Sequence, residues 1–100
     1  MKFMVTWRCL SDKRVDMWKL WSSLTPAQRA DVGPDLKLIG RWHSPVDISG
    51  VAIVEATDAV ALNRYTCRFA PAMDLECTPV LDDEESTVLV SQVLADMGMG

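Results

Sequence analysis

His43 is the only histidine in the chain. It is the one side chain here whose ordinary pKa lets it give and take a proton near neutral pH. Two residues earlier, Arg41 offers a guanidinium that can hold an enolate, a phenolate or a carboxylate. Residues two apart share a side of a strand, so Arg41 and His43 form a pair able to move a proton and steady the charge it leaves. Thr6 and Glu76 are polar neighbours on other strands, and Glu55 ends the strand that follows the loop after His43. Trp7 and Trp42 can supply a flat aromatic wall. A proton carrier, a charge stabiliser and apolar walls are the parts needed for cofactor-independent chemistry on a small apolar molecule.

Each of these residues also has a plainer role. A lone histidine beside a loop often only anchors that loop. Arg41 suits a salt bridge at the surface or across a dimer, and Glu55 a structural partnership with Arg41 or Arg8. Trp7 and Trp42 suit a core or an interface. No Gly-rich phosphate loop, metal-ligand cluster or Ser-His-Asp arrangement is visible. One histidine and no Cys-x-x-Cys argue against structural zinc. Haem on His43 is a weaker reading than a site with no cofactor.

Composition narrows the partners. The 100 residues suit a single domain, residues 1–100, with 49% hydrophobic residues, 24% charged residues and four tryptophans. A net charge of -4 and ten scattered Lys and Arg residues argue against a nucleic-acid binder, which needs a clustered basic face, and against anionic membrane surfaces. No apolar run approaches the roughly 20 residues of a membrane span. The start of the chain does not read as a signal peptide, so a cytoplasmic protein is expected. Cys9, Cys67 and Cys77 lack paired spacing and read as reduced thiols.

The elements that position the candidates follow from hydrophobic period. Residues 2–9 predict a strand, with Phe3, Val5, Trp7 and Cys9 on one side. Ser11 and Asp12 are cap candidates for a helix with Met17, Leu20, Trp21 and Leu24 on its stripe, and Trp18 beside it. Thr25-Pro26 starts a short second helix that Gly33-Pro34 ends. Residues 36–56 then predict a hairpin with a long loop. Alternation puts Lys37, Arg41 and His43 on one side of its first strand and Leu38 and Trp42 on the other. Residues 51–54 are apolar throughout, which predicts a central strand covered on both faces.

Thr57 or Asp58 caps a helix carrying Leu62, Tyr65, Thr66 and Phe69. Residues 73–81 alternate strongly and contain Pro79, as an edge strand would. The acidic run 82–85 suggests a metal site at first sight, but Asp82 with Glu85 reads better as a capping box. The helix it starts has Val90, Val93, Leu94 and Met97 on its stripe.

The predicted fold is α+β: a ferredoxin-like βαββαβ with a four-stranded antiparallel sheet and an extra C-terminal helix. Right-handed crossovers make the first and third strands central neighbours. Helices cover one sheet face. The strands hold too much apolar surface for the other face to be wet, so a second copy of the chain is the expected cover. Arg41 and His43 are expected on that uncovered face, because a guanidinium is costly in a helix-covered core. A cavity bordered by residues 40–50 would then lie there.

Four blocks in order, Met1-Lys-Phe-Met-Val-Thr-Trp7, Gly40-Arg-Trp-His43, Ala52-Ile-Val-Glu55 and Pro79-Val-Leu-Asp-Asp-Glu-Glu85, resemble a family of short bacterial proteins catalogued only as a domain of unknown function. That family looks like a branch of the dimeric α+β barrel superfamily, and the resemblance covers nearly the whole chain. The helix with Trp18 and Trp21 and the Thr25-Pro26 segment depart from the shorter connection of the family. The resemblance implies a homodimer with facing sheets. Superfamily relatives include cofactor-free monooxygenases of aromatic polyketide pathways, muconolactone isomerases, polyketide cyclases, haem binders and amino-acid-binding regulators. They share no catalytic motif, so no catalytic residue is carried over.

Two functions follow as expectations. The first is a small cofactor-independent enzyme of specialised metabolism acting on an aromatic or polyketide-like molecule by proton transfer, cyclisation, isomerisation or oxygenation, with His43 and Arg41 catalytic. The alternative is a homodimeric binding or accessory protein in which these two residues only anchor. Placement of His43 and Arg41 on the helix side would favour the alternative.

Overall fold

The computed structural model describes residues 1–99. Strand β1 spans Lys2–Cys9, and after a short 3-10 turn helix α1 spans Arg14–Ser23 and α2 spans Pro26–Ala30. The hairpin is β2 at Leu36–Ser44 and β3 at Ser49–Ala56. Helix α3 covers Ala59–Thr66, β4 covers Met73–Val80, and α4 covers Asp83–Asp96. The sheet order β2-β3-β1-β4 is antiparallel throughout and makes β1 and β3 the central pair. This is the ferredoxin-like arrangement read from the sequence, with the extra C-terminal helix. No helix among the described residues is long and apolar enough to cross a membrane.

Local chemistry sets most boundaries. Thr25 and Gln28 form a reciprocal capping box at the start of α2, with Pro26 at its first position. Asp58 caps α3 by accepting the Ala61 N–H at 2.8 Å. Ser11 and Asp12 cap nothing: they form the 3-10 turn, and α1 begins after Lys13 with no side-chain cap.

One side of the sheet carries the core. Phe3 and Val5 from β1 meet Ala52, Val54 and Ala56 from β3, Leu36 from β2 and Leu62 from α3. Leu62 and Val54 are the most completely buried large side chains. β3 is central as expected, but it is covered on one face only: Val51 and Ile53 point to the open side and stay partly exposed.

Two indoles rest on glycines. Trp7 faces Gly50 across the β1–β3 ladder. A Cβ on Gly50 would stand 2.4 Å from the Trp7 ring, so only glycine permits this approach. On the open face, a Cβ on Gly40 would stand 2.5 Å from the Trp42 ring.

Strand β2 overturns the expected alternation. Leu38 pairs with Val54, but the next partner of Ile53 is Gly40, so Ile39 is an extra residue, a β-bulge. Side assignment reverses there. Arg41 and His43 share the helix-covered side with Leu36 and Leu38, whereas Lys37 and Trp42 take the open side. The expected grouping of Lys37 with Arg41 and His43, and of Leu38 with Trp42, is therefore corrected, as is the placement of Arg41 and His43 on the uncovered face.

Helix α4 stands apart from the body. Asp82 accepts the Glu85 N–H at 2.8 Å while Glu85 accepts the Asp82 N–H at 3.2 Å, the capping box expected from the acidic run. Lys2 lies 3.6 Å from both carboxylates. Every residue of α4 is exposed. The molecule measures 55 × 28 × 20 Å with a radius of gyration of 16.7 Å, against about 13 Å for a compact chain of this length.

Two outcomes are expected. Because Asp82 and Glu85 are committed to backbone N–H groups and Lys2, millimolar Mg²⁺ or Ca²⁺ should leave the melting temperature unchanged; a ligand of the native state at about 100 times its Kd would add about 2.7 kcal/mol. Gly50→Ala should displace Trp7 and destabilise the fold by about 1–3 kcal/mol, read by thermal unfolding.

Candidate functional site

A cavity of about 620 Å³ lies between the helix-covered side of the sheet and α1, α2 and α3. Its size suits a small molecule. The sheet gives it a floor of Val5, Leu38 and Ala52, and α1 arches over it with Met17, Trp18 and Trp21. Tyr65 and Phe69, packed edge to face with centroids 5.4 Å apart, close another wall.

His43 sits at the rim, solvent-accessible, between two indoles. Trp7 meets it edge-on at 5.8 Å and Trp21 tilts over it at 5.0 Å. No protein group among the described residues hydrogen-bonds its ring, so both ring nitrogens are open to a ligand or to water. Desolvation by the indoles, with a smaller push from the Arg41 charge, lowers its pKa below the usual 6.5. Both effects favour the neutral imidazole.

Arg41 shows how a guanidinium is tolerated on this side. It donates to the Arg29 carbonyl at 2.9 Å and to the Tyr65 hydroxyl at 3.4 Å, and it lies 5.1 Å from the Trp21 ring centre. These contacts supply partners for a charge that burial alone would penalise. Arg29 in turn donates to the Leu24 carbonyl at 2.6 Å, so the α1–α2 junction is locked where Arg41 reaches it. Arg68 also lines the cavity, and Asp31 is the one carboxylate that does. Three guanidiniums against one carboxylate make it electropositive in a chain of net charge -4.

The loop between β2 and β3 borders the cavity through Ser44, Pro45 and Ile48. It is fixed from two sides. Trp18 Nε1 donates to the Pro45 carbonyl at 2.9 Å, and the Cys9 N–H donates to the Ile48 carbonyl at 3.0 Å. Ile48 takes the left-handed region at φ 46°, an uncommon and strained place for a β-branched residue. Ser49 donates to Asp47 at 2.8 Å, which helps hold the Asp47 carboxyl below the usual range.

Of the seven candidates from the sequence, the fold brings together His43, Arg41 and Trp7. Thr6, Trp42, Glu55 and Glu76 lie across the sheet on the open face. Thr6 stands opposite Glu76 on β4 and Val51 on β3. Glu55 stands opposite Lys2 and Lys37, not beside Arg41 or Arg8. Trp42 is 61% exposed. The cause is parity: even-numbered residues of β1 and β4 face outward, and the bulge at Ile39 sends Arg41 and His43 inward.

Trp21, Tyr65, Arg29 and Arg68 complete the cavity and were not singled out as site residues by sequence. Trp21 and Tyr65 sit on apolar helical stripes, where packing is the plain reading. The sequence carries no local signal that separates packing from lining a cavity.

Comparison with curated proteins and with solved structures returns no match. A family model described as a domain of unknown function, DUF3303, matches residues 1–94. The residues that line the cavity all fall within that match, and the chain belongs to the DUF3303 family.

Proposed function

We propose that this protein is a homodimeric small-molecule-binding protein whose cavity takes a flat apolar ligand bearing an anionic group. The observation that carries the reading is the combination at one wall: a neutral imidazole and a guanidinium set among Trp7, Trp21 and Tyr65. Indoles favour planar apolar bodies, and the excess of guanidinium favours a carboxylate or phenolate on the ligand. The homodimer is supported by the open face, where Met4, Val51, Ile53 and Trp42 leave apolar surface uncovered.

Cofactor-independent catalysis is the second reading, favoured by the unpartnered His43 ring beside Arg41. A neutral imidazole can take a proton from a bound phenol or activated carbon, and Arg41 can stabilise the anion formed. The binding reading leads because Arg41 already holds Arg29 and Tyr65 in place, and because Glu55, Glu76 and Thr6 lie too far round the sheet to assist.

The test uses 2-naphthoate and its neutral analogue 2-naphthamide, followed by quenching of tryptophan fluorescence. Naphthoate should bind more tightly by a factor of roughly 10 to 100, the worth of a charge-assisted hydrogen bond of about 1.5–3 kcal/mol. Arg41→Met should remove the preference. Equal affinities, or no quenching, would overturn the reading. Turnover of a phenolic substrate that His43→Ala abolishes while binding persists would move catalysis into the lead.

The single histidine also gives a clean pH readout. By NMR, His43 should titrate below 6.5 in the free protein, closer to 6.5 but still below it in Arg41→Met, where desolvation persists, and higher on naphthoate binding. Affinity for naphthoate should therefore rise as the pH falls from about 7.5 to about 5.5. The sign for stability is opposite: with its folded pKa depressed, the His43 contribution is present above the unfolded value and is lost as the pH falls through the folded one.

A further inference from the structure

Helix α4 carries one apolar arc and nothing of its own body to set it against. Leu89, Val90, Val93, Leu94 and Met97 fall on one side of the helix, with Glu84, Ser91, Gln92 and a lone apolar Val88 on the other. The five apolar residues are 40 to 63% exposed. No strand or helix among the described residues packs along α4; its start is ordered by the capping box of its own first turn and meets the body through two half-exposed Lys2 ion pairs. At about 1.5 Å per residue, 14 residues make a rod of roughly 21 Å. Such a rod accounts for most of the difference between the 55 Å length of the molecule and its 28 Å width.

The same chain has a second unpartnered apolar surface, the open face of the sheet with Met4, Val51, Ile53, Ile39 and Trp42. Only residues 81–82 join β4 to α4, and short connections of this kind favour exchange between copies over folding back. We infer that α4 is an exchanged arm: it leaves its own body and lays its apolar arc on the open sheet face of a second copy, which returns its own arm. The inference rests on the homodimer proposed above and states how that dimer closes.

Charge selects the sheet face over pairing of one α4 with another. Helix α4 contains Asp83, Glu84, Glu85 and Asp96 and no basic residue, so two such helices repel. The open face carries Lys2, Lys37 and Arg8 balanced by Glu55, Asp74 and Glu76, so it does not repel α4 as a second α4 would. Area agrees. A rod of about 21 Å by about 10 Å shades on the order of 200 Å². Counted on both surfaces and for both arms of a two-fold pair, that is on the order of 800 Å². The flanking sheet residues bring it toward the roughly 1,200 Å² of a specific dimer.

The full chain is tested by sedimentation and light scattering on dilution. Leu89→Glu with Val93→Glu alters two side chains that are exposed in the single chain, so the fold should persist by circular dichroism while the dimer weakens at least tenfold. In a Cys67→Ser, Cys77→Ser background, chains with Val93→Cys are mixed with differently tagged chains bearing Ile53→Cys. A bis-maleimide should join the two tags. A parent dimer whose strength is unchanged by the glutamates, or whose two tags the reagent never joins, overturns the exchanged arm and leaves the homodimer standing. A parent chain that stays monomeric at micromolar concentration overturns both.

Discussion

The extra residue in β2 decides what the rest of this protein can do. Side chains on a strand alternate, so inserting Ile39 against the Val54–Ile53 step of β3 exchanges the two faces for everything after it. Without the bulge, Trp42 would enter the helix-covered side and Arg41 would leave it. With it, a guanidinium and the only imidazole of the chain are carried under α1 and α2, and the indole of Trp42 is left outside. The cavity owes its polar wall to one residue of register.

Turning Arg41 inward imposes requirements on the elements above it. A guanidinium taken from water needs partners, and the fold provides a carbonyl from α2, a hydroxyl from α3 and an aromatic face from α1. Helices that otherwise pack weakly on the sheet are thereby gathered round one cation. This explains why the space beneath α1 remains open. Met17 is the only residue of α1 that is buried, so the helix is held by its tryptophans and by Arg41 rather than pressed onto the core, and a cavity is left where a core layer would otherwise be.

The fold was legible in the sequence because its signals are additive and local. The alternation in β1, the capping residues Thr25, Asp58 and Asp82 and the stripe on α3 each point to the same order of elements, and right-handed crossover leaves one sheet arrangement. The composition of the site was only partly legible. His43, Arg41 and Trp7 carry chemistry visible in their side chains, and the fold does bring them together. Their face was misread, because a bulge leaves no mark when the inserted residue is an ordinary Ile39 in an apolar run. Once parity was assumed unbroken, Thr6, Glu55 and Glu76 followed onto the wrong partners. Trp21 and Tyr65 were hidden for another reason: at helical spacing an aromatic that lines a cavity and one that fills a core look identical.

The two faces of the sheet now divide the labour in a way that neither composition nor fold class dictates. The helix-covered face holds an electropositive space inside an acidic protein, a combination that suits the small anionic ligand proposed above and not a polyanion at the outer surface. The open face cannot share in that chemistry, since the sheet itself stands between Thr6 or Glu76 and His43. Its apolar residues are what the proposed association would cover, and α4, fully exposed and held only near its first turn, leaves a second apolar surface open. The proposed association and ligand binding would therefore occupy opposite sides of one four-stranded sheet. Strand β3 borders both sides: Ala52 and Val54 face the cavity side while Val51 and Ile53 face outward.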